Sequence, residues 1–177
     1  NPQPPLIIPI DITGKQLQKV SGTIELKLIS GASERIQVGD IAVVGKDIVG
    51  RVARIGSTRI ELHPITHKET GLTRAAILPA RPQQGRAPLL AEIILQSDGS
   101  ASMYADVSAT SGVQKFDLVV LDDPSWPSVA AGFTVGIVES VLQLDEAPLR
   151  QRVVITPRRT ARDVARVVVL GTGESAK

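Results

Sequence analysis

The stretch Ile36-Gln37-Val38-Gly39-Asp40-Ile41-Ala42-Val43-Val44 carries the main fold signal, because a related stretch recurs later in the chain. The second copy reads Val113-Gln114-Lys115-Phe116-Asp117-Leu118-Val119-Val120-Leu121. Each copy leads into an apolar segment with a Val-Gly step, at Val49-Gly50 and at Val135-Gly136. An aspartate in such a position favours a tight turn, and a glycine inside a strand permits a bulge or sharp coiling. The repeat therefore predicts two related small β-modules.

Period-two alternation of apolar and polar residues dominates the rest of the chain. It is clearest in Thr23-Ile24-Glu25-Leu26-Lys27-Leu28 and in Arg59-Ile60-Glu61-Leu62-His63. A strand places alternate side chains on opposite faces, so each segment has one apolar face. Asp98-Gly99 between two apolar runs predicts a hairpin. One short helix is predicted at 160–165, where Thr160 caps the start and Asp163 completes a capping box. The predicted fold class is all-β with one short helix near the C-terminus.

Composition limits the classes of function that are open to the chain. The 177 residues contain no cysteine, which excludes disulfides and zinc–thiolate sites, and only 2% of them are aromatic. Proteins that bind single-stranded nucleic acids depend on aromatic stacking platforms, so composition disfavours that class. The net charge is +2, but arginine is concentrated after position 150. Such a basic segment is either a solvated face or a contact surface for an acidic partner or a lipid surface.

Catalytic and metal sites find little support in the sequence. His63 and His67 are separated by Pro64 and lack a surrounding HExxH motif, so we expect strand-edge or surface histidines without a metal. Asp122 and Asp123 lie in a predicted loop. A carboxylate pair does hydrolytic work only where a cleft sets its separation and its pKa values. An enzyme built on Asp122 or Asp123 is therefore the weakest alternative, and we predict a non-catalytic protein without cofactors.

The order of the motifs carries a family resemblance. The first copy continues into Ile48-Val49-Gly50-Arg51-Val52, and the second starts with Phe116-Asp117-Leu118-Val119-Val120 before Val135-Gly136-Ile137-Val138. The chain then closes with Val154-Ile155-Thr156-Pro157, the predicted helix, and Val167-Val168-Val169-Leu170. These segments are similar to the L-V-G-R-V strand, the G-D-L-V-V segment and the closing strand-helix-strand of the MreC family. The resemblance extends from about Ile7 to Leu170.

The resemblance to MreC implies two small β-barrel-like modules, with the second inserted into the first. We therefore expect a linker at 1–6 and a first module formed by 7–72 together with 150–171. The inserted second module is expected at 73–149, and a disordered tail at 172–177.

The same resemblance implies a role as a non-catalytic scaffold of the bacterial cell-wall elongation machinery, which governs cell shape. It implies self-association, binding to a penicillin-binding transpeptidase, and a complex with MreD and the actin-like MreB. The family is anchored in the inner membrane by an N-terminal helix, which a coiled coil follows. We expect this chain to be a periplasmic, extracytoplasmic part whose anchor lies in a segment outside it, and we expect no nucleic-acid partner.

Departures from the family pattern mark candidate contacts. Phe116 stands where the family has glycine, and Leu121-Asp122-Asp123-Pro124-Ser125-Trp126-Pro127 replaces a T-S-G segment. Trp126 and Phe133 flank this loop, and Trp126 is either an exposed anchor for a partner or a plug at a barrel end. Arg158 and Arg159 are the candidate basic contacts. Edge strands are further candidates, because their unpaired backbone groups invite strand addition between copies.

The main alternative is a KOW-type, SH3-like barrel that binds nucleic acid or the ribosome. The segment 39–52 is similar to a KOW element, and the pI of about 9.2 favours such a role. The scarcity of aromatic residues and of dense Lys/Arg clusters in the first two thirds of the chain opposes it. A single KOW-like element would also leave the second copy and the closing helix unexplained.

Overall fold

The computed structural model of the chain describes residues 6–11, 22–27, 35–82, 84–160 and 166–171. Within these ranges the chain forms twelve strands and two short 3-10 turns, at Lys68–Thr70 and Ser128–Ala130. The strands are β1 Leu6–Asp11, β2 Ile24–Lys27, β3 Ile41–Val44, β4 Asp47–Ile55, β5 Arg59–Pro64, β6 Thr73–Leu78, β7 Ala91–Ser97, β8 Met103–Ser108, β9 Leu118–Leu121, β10 Thr134–Gln143, β11 Arg150–Thr156 and β12 Arg166–Gly171. The all-β prediction is confirmed. No helix among the described residues is long and apolar enough to cross a membrane.

Three predicted features fall largely outside the described ranges. The short helix at 160–165 has only its capping residue, Thr160, inside them, and the tail at 172–177 has none. Of the predicted linker at 1–6, only Leu6 is described, and it already belongs to β1.

The first module is a sheet of six strands in the order β2-β5-β4-β3-β12-β1. Its neighbouring strands are all antiparallel. Alternate residues of these strands point to one side, as the period-two pattern predicts, and enclose an apolar core. The buried residues of this core are Ile24, Leu26, Ile36, Ala42, Val49, Val52, Ile60, Leu62, Val167 and Val169.

The second module is a closed barrel of six strands in the order β6-β7-β8-β11-β10-β9. It closes because β9 pairs with β6 as well as with β10. These strands follow one another in sequence between β5 and β12, so the barrel is inserted into the first module as predicted. A closed barrel removes the exposed edges that an open sheet presents.

The C-terminal limit of the barrel differs from the prediction. The resemblance assigned 150–156 to the first module, but β11 pairs along its length with β8 and with β10. The reason is local: β10 and β11 are joined by a short connection at 144–149, and such a connection favours antiparallel pairing of the strands it joins. The barrel therefore extends to Thr156, and the remaining module boundaries stay predictions.

The two sequence copies form the same turn. In the first copy, Gln37 N donates to Asp40 Oδ2 at 2.8 Å, and Asp40 N donates to the Gln37 carbonyl at 3.1 Å. In the second copy, Gln114 N donates to Asp117 Oδ2 at 2.7 Å, and Asp117 N donates to the Gln114 carbonyl at 3.2 Å. The predicted structural similarity of the two copies is thus visible in their backbone hydrogen bonds.

The apolar core of the barrel contains residues from both modules. β3 is buried on both faces, because Ala42 packs in the core of the first module while Ile41 and Val43 join the core of the barrel. Ile48 of β4 and Ile65, just after β5, also join the barrel core. The first module therefore supplies part of the apolar packing of the second.

Candidate interaction surfaces

Trp126 is buried at the junction, with 6% of its surface exposed. Its ring packs in the barrel core, and the Arg51 guanidinium carbon lies 5.0 Å from the ring centroid. Arg51 Nε also donates to the Gly39 carbonyl at 2.9 Å, so the cation over the ring comes from the first module. Of the two roles considered for Trp126, the structure favours packing, and a role in binding a partner stays a prediction.

Asp123 holds the loop that carries Trp126. Its Oδ2 accepts from Arg74 N at 2.8 Å, and its Oδ1 accepts from Ser125 N at 2.8 Å. Burial acts to raise the pKa of Asp123, but the hydrogen bonds from Ser125 and Arg74 outweigh it and lower that pKa. A general acid needs the opposite shift. Asp123 therefore acts as a structural carboxylate, with the exposed Asp122 beside it.

Phe133 is the second aromatic candidate and lies at the start of β10. It is half-buried and packs against the barrel core. Its carbonyl accepts the Leu121 N–H at 2.8 Å, which fastens the end of β9 to the start of β10. Phe133 therefore joins the end of the divergent loop to the barrel, and its contact with a partner stays a prediction.

Arg158 and Arg159 converge on the buried Asp47. Arg158 Nη1 lies 3.6 Å from Asp47 Oδ1, and Arg159 Nε lies 3.5 Å from Asp47 Oδ2. Asp47 opens β4 opposite Thr134 of β10, whose N–H donates to the Lys46 carbonyl at 2.8 Å. The two arginines thus fasten the chain after β11 to the first module. Their side chains remain 47% and 49% exposed, and their predicted contact with a partner stays a prediction.

His63, His67 and Glu69 form a cluster of possible metal ligands near the junction. The two imidazole rings stack with their centroids 4.0 Å apart and their planes inclined by 15°. An imidazole nitrogen binds a metal along its lone pair in the ring plane, and two stacked planes do not meet at one ion. His67 Nδ1 also accepts the Glu69 N–H at 3.2 Å, which places the proton of a neutral ring on Nε2. This arrangement is an imidazole stack, and the expectation of a chain without a metal stays a prediction.

A cleft of about 360 Å³ opens beside the stacked imidazoles. Its lining residues are Val38, Gly39, Arg51, Val52, Ala53, His63, Glu69, Thr70 and Trp126. The Arg51 guanidinium lines this cleft. It donates to the Gly39 carbonyl and, at 3.4 Å, to the Ser125 carbonyl, and it lies over the Trp126 ring. Its charge therefore serves the contact between modules.

Phe116 lies on the surface, at a position where the family pattern has glycine. Its φ is 74°, whereas Gly39, its counterpart in the first copy, has φ 99°. Left-handed backbone disfavours a residue with a Cβ, so the glycine of the family pattern is the expected occupant. The Phe116 ring is 59% exposed, and Lys115 Nζ lies 5.1 Å from its centroid. A phenylalanine in place of the family's glycine is the sequence feature that pointed to this exposed ring on a left-handed backbone position.

The fold and its surfaces define a class of protein: an all-β domain of two modules, with a closed barrel inserted into an antiparallel sheet. Solved structures of MreC share this architecture. MreC from Listeria monocytogenes matches with a TM-score of 0.67 and 15% identity, covering 100% of this chain and 80% of that chain. The major periplasmic domain from the cell shape-determining filament MreC matches with a TM-score of 0.61 and 16% identity, covering 96% and 97%. The complex between PBP2 and MreC from Helicobacter pylori matches with a TM-score of 0.61 and 13% identity, covering 97% and 100%.

No protein-family model matches the sequence, and no curated protein is recognisably similar to it. The solved structures share 15%, 16% and 13% of their residues with this chain, so the likeness is one of fold. The chain has the fold of the MreC β-domain over nearly its whole length. The resemblance that the motifs predicted is confirmed at that level.

Proposed function

We propose that the chain is a scaffold domain of the MreC type, which acts in cell-wall elongation and thereby in cell shape. The match of the complete two-module architecture, with the barrel inserted between β5 and β12, carries this proposal. One matching structure is the periplasmic domain of a cell shape-determining filament, which supports a periplasmic, non-catalytic role for this chain. Anchoring at the inner membrane by a segment outside this chain follows from the family resemblance and is part of the proposal.

The partner we propose is a penicillin-binding transpeptidase of the elongation machinery. The MreC of Helicobacter pylori has been solved in complex with PBP2, and this chain has the same fold. The half-exposed Arg158 and Arg159 would supply basic contacts to such a partner. Self-association, MreD and the MreB-linked complex complete the set of proposed partners.

The test is binding of this chain to the extracytoplasmic part of the PBP2-type transpeptidase from the same genome, measured by biolayer interferometry. We expect saturable binding with a dissociation constant on the order of micromolar, which is usual for a transient interface. The division-specific transpeptidase serves as the control. Binding to neither enzyme would overturn the proposal, and equal binding to both would remove the assignment to elongation.

The same experiment separates the scaffold from the KOW-type alternative. A nucleic-acid-binding barrel would bind RNA at low salt and lose affinity steeply as salt rises. A scaffold of the MreC type would bind the transpeptidase equally well with and without RNA. None of the matching structures named above is a nucleic-acid-binding protein, so no comparison favours the alternative.

A further inference from the structure

The segment after β11 brings more positive charge to Asp47 than this carboxylate neutralises. Arg158 Nη1 and Arg159 Nε lie 3.6 Å and 3.5 Å from the two oxygens of the Asp47 carboxylate. Lys46, which precedes Asp47 in the β3–β4 turn, is exposed and forms no ion pair within the described part of the chain. Three cations thus share one carboxylate, which leaves two positive charges without a counterion among the described residues.

The donors of the two guanidinium groups remain available. Hydrogen bonds from nitrogen to oxygen span about 2.7–3.2 Å, so both contacts with Asp47 are ion pairs that are longer than hydrogen bonds. Neither Arg158 nor Arg159 donates a hydrogen bond to any residue that the structure describes. Each guanidinium carries five N–H donors, and about half of each side chain faces solvent. The pair can therefore donate to a group that arrives from solution.

The sheet fixes the carboxylate around which the arginines converge. Asp47 is buried, opens β4 and pairs with Thr134 of β10. Arg158 and Arg159 follow Pro157, whose ring restricts the backbone directly after β11. Attraction to the fixed carboxylate keeps both guanidinium groups near one point. The basic pair is thus positioned by the fold.

We infer that Arg158 and Arg159, held by Asp47, bind a phosphoryl group. A guanidinium donates two parallel hydrogen bonds to phosphate oxygens, and two such groups match the several oxygens of one phosphate. A dianionic phosphate would also balance the two positive charges that Asp47 leaves. A carboxylate ligand has two oxygens and one negative charge, so it would satisfy only part of the site.

Two sources share this chemistry: a soluble phosphate ligand and the headgroup of an anionic phospholipid. A headgroup presents its phosphate at a negatively charged surface, which attracts exposed arginines further. The inference goes beyond the proposed function, because binding to a transpeptidase requires no phosphate.

The first measurement is a titration of the chain with inorganic phosphate, followed by the NMR signals of the Asp47 and Thr134 backbone amides. Sodium chloride at equal ionic strength is the reference, since it screens charges to the same extent. We expect saturable shifts with a dissociation constant on the order of millimolar. The double variant Arg158→Gln/Arg159→Gln should raise this constant at least ~10-fold, because it removes both charges and both sets of donors.

A second double variant separates a built site from a diffuse basic surface. Arg158→Lys/Arg159→Lys keeps both charges but loses the planar donors, so we expect phosphate binding at least ~3-fold weaker than in the parent chain. Arg54→Gln/Arg59→Gln is the matched control, because each of these exposed arginines pairs with one glutamate, and it should bind phosphate like the parent. Urea unfolding of all variants checks that the fold is retained.

Co-sedimentation with vesicles distinguishes the two sources. Binding to vesicles that contain phosphatidylglycerol, absent with pure phosphatidylcholine and at least ~10-fold weaker in Arg158→Gln/Arg159→Gln, would assign the site to a lipid headgroup. Phosphate binding without vesicle binding would assign it to a soluble ligand.

Two outcomes would overturn the inference. One is the absence of any response to phosphate and to both kinds of vesicle, and the other is equal phosphate binding by Arg158→Lys/Arg159→Lys and the parent chain. Neither outcome touches the proposed function, because the transpeptidase assay measures a different ligand and decides the scaffold role by itself.

Discussion

At the scale of single residues, two glycines allow the strands of both copies to approach their neighbours. A Cβ on Gly50 would overlap the His63 carbonyl oxygen, and a Cβ on Gly136 would overlap the Thr156 carbonyl oxygen. Both conflicts involve backbone, which cannot move aside as the end of a flexible side chain can. The Val-Gly step found in the sequence therefore has the same steric reason in both modules.

We expect Gly50→Ala and Gly136→Ala each to lower the free energy of unfolding by more than about 2 kcal/mol, because overpacking against backbone forces the strands apart. Gly56→Ala is the graded control, since its Cβ would lie 3.2 Å from the Arg59 carbonyl oxygen and requires a smaller shift. Urea unfolding of the three variants checks the order. Equal and small losses for all three would contradict the steric explanation.

His63 makes stability depend on pH. Burial and the nearby charge of His67 lower its pKa from 6.5, against the opposite influence of Glu69 and Glu61. The folded state binds the His63 proton more weakly than the unfolded state does. The contribution of neutral His63 to stability is therefore complete above the unfolded pKa and is lost as pH falls through the folded pKa. We therefore expect the urea midpoint to be constant between about pH 7 and 8 and to fall below about 6.5.

The variant His63→Gln should flatten this part of the pH profile. Asp106→Asn provides the comparison, because the hydrogen bond from Arg152 lowers the pKa of Asp106 and confines its effect to the acid range below about 4. A fall between pH 6.5 and 5 that survives in His63→Gln would assign the dependence to another group.

At the scale of elements, the sequence predicted the strands well because their information is local. Alternation marks the faces of β2 and β5, and the Gln-x-x-Asp spacing marks both turns, where Asp40 and Asp117 accept the backbone bonds that the motif implies. The neighbours of a strand cannot be predicted from its local sequence, because they depend on how the whole sheet closes. That is why the sequence placed β11 in the first module, whereas its pairing with β8 and β10 places it in the barrel.

The candidate site shows the same contrast between local features, which the sequence predicts, and long-range contacts, which it does not. The sequence singled out Trp126 and Arg158 as candidate contacts. Whether an indole is exposed or buried depends on the module it meets, and Arg51 lies far from Trp126 in sequence. The imidazole stack was hidden because Pro64 argued against a helix, and an extended segment with a turn brings His63 and His67 together instead.

At the scale of the whole molecule, shared apolar packing and ion pairs couple the two modules. Ile41, Val43 and Ile48 of the first module pack with the barrel core, and Asp47 binds both arginines that follow β11. The Ser97 hydroxyl also donates to the Thr66 carbonyl, which joins the β7–β8 turn to the segment after β5.

This coupling predicts that damage to one module lowers the stability of both. Leu26→Ala removes a fully buried side chain from the core of the first module, and Ile48→Ala removes one from the shared core. Each should lower the free energy of unfolding by about 2–5 kcal/mol, as large-to-small core substitutions do.

Hydrogen exchange of the β8 amides, which belong to the barrel, is the decisive measurement. If the two modules unfold as one cooperative unit, both variants lower the free energy of exchange of the β8 amides. Each variant then lowers it by as much as it lowers the free energy of unfolding. If Leu26→Ala leaves β8 protection unchanged while Ile48→Ala reduces it, the modules unfold separately and only the shared face couples them.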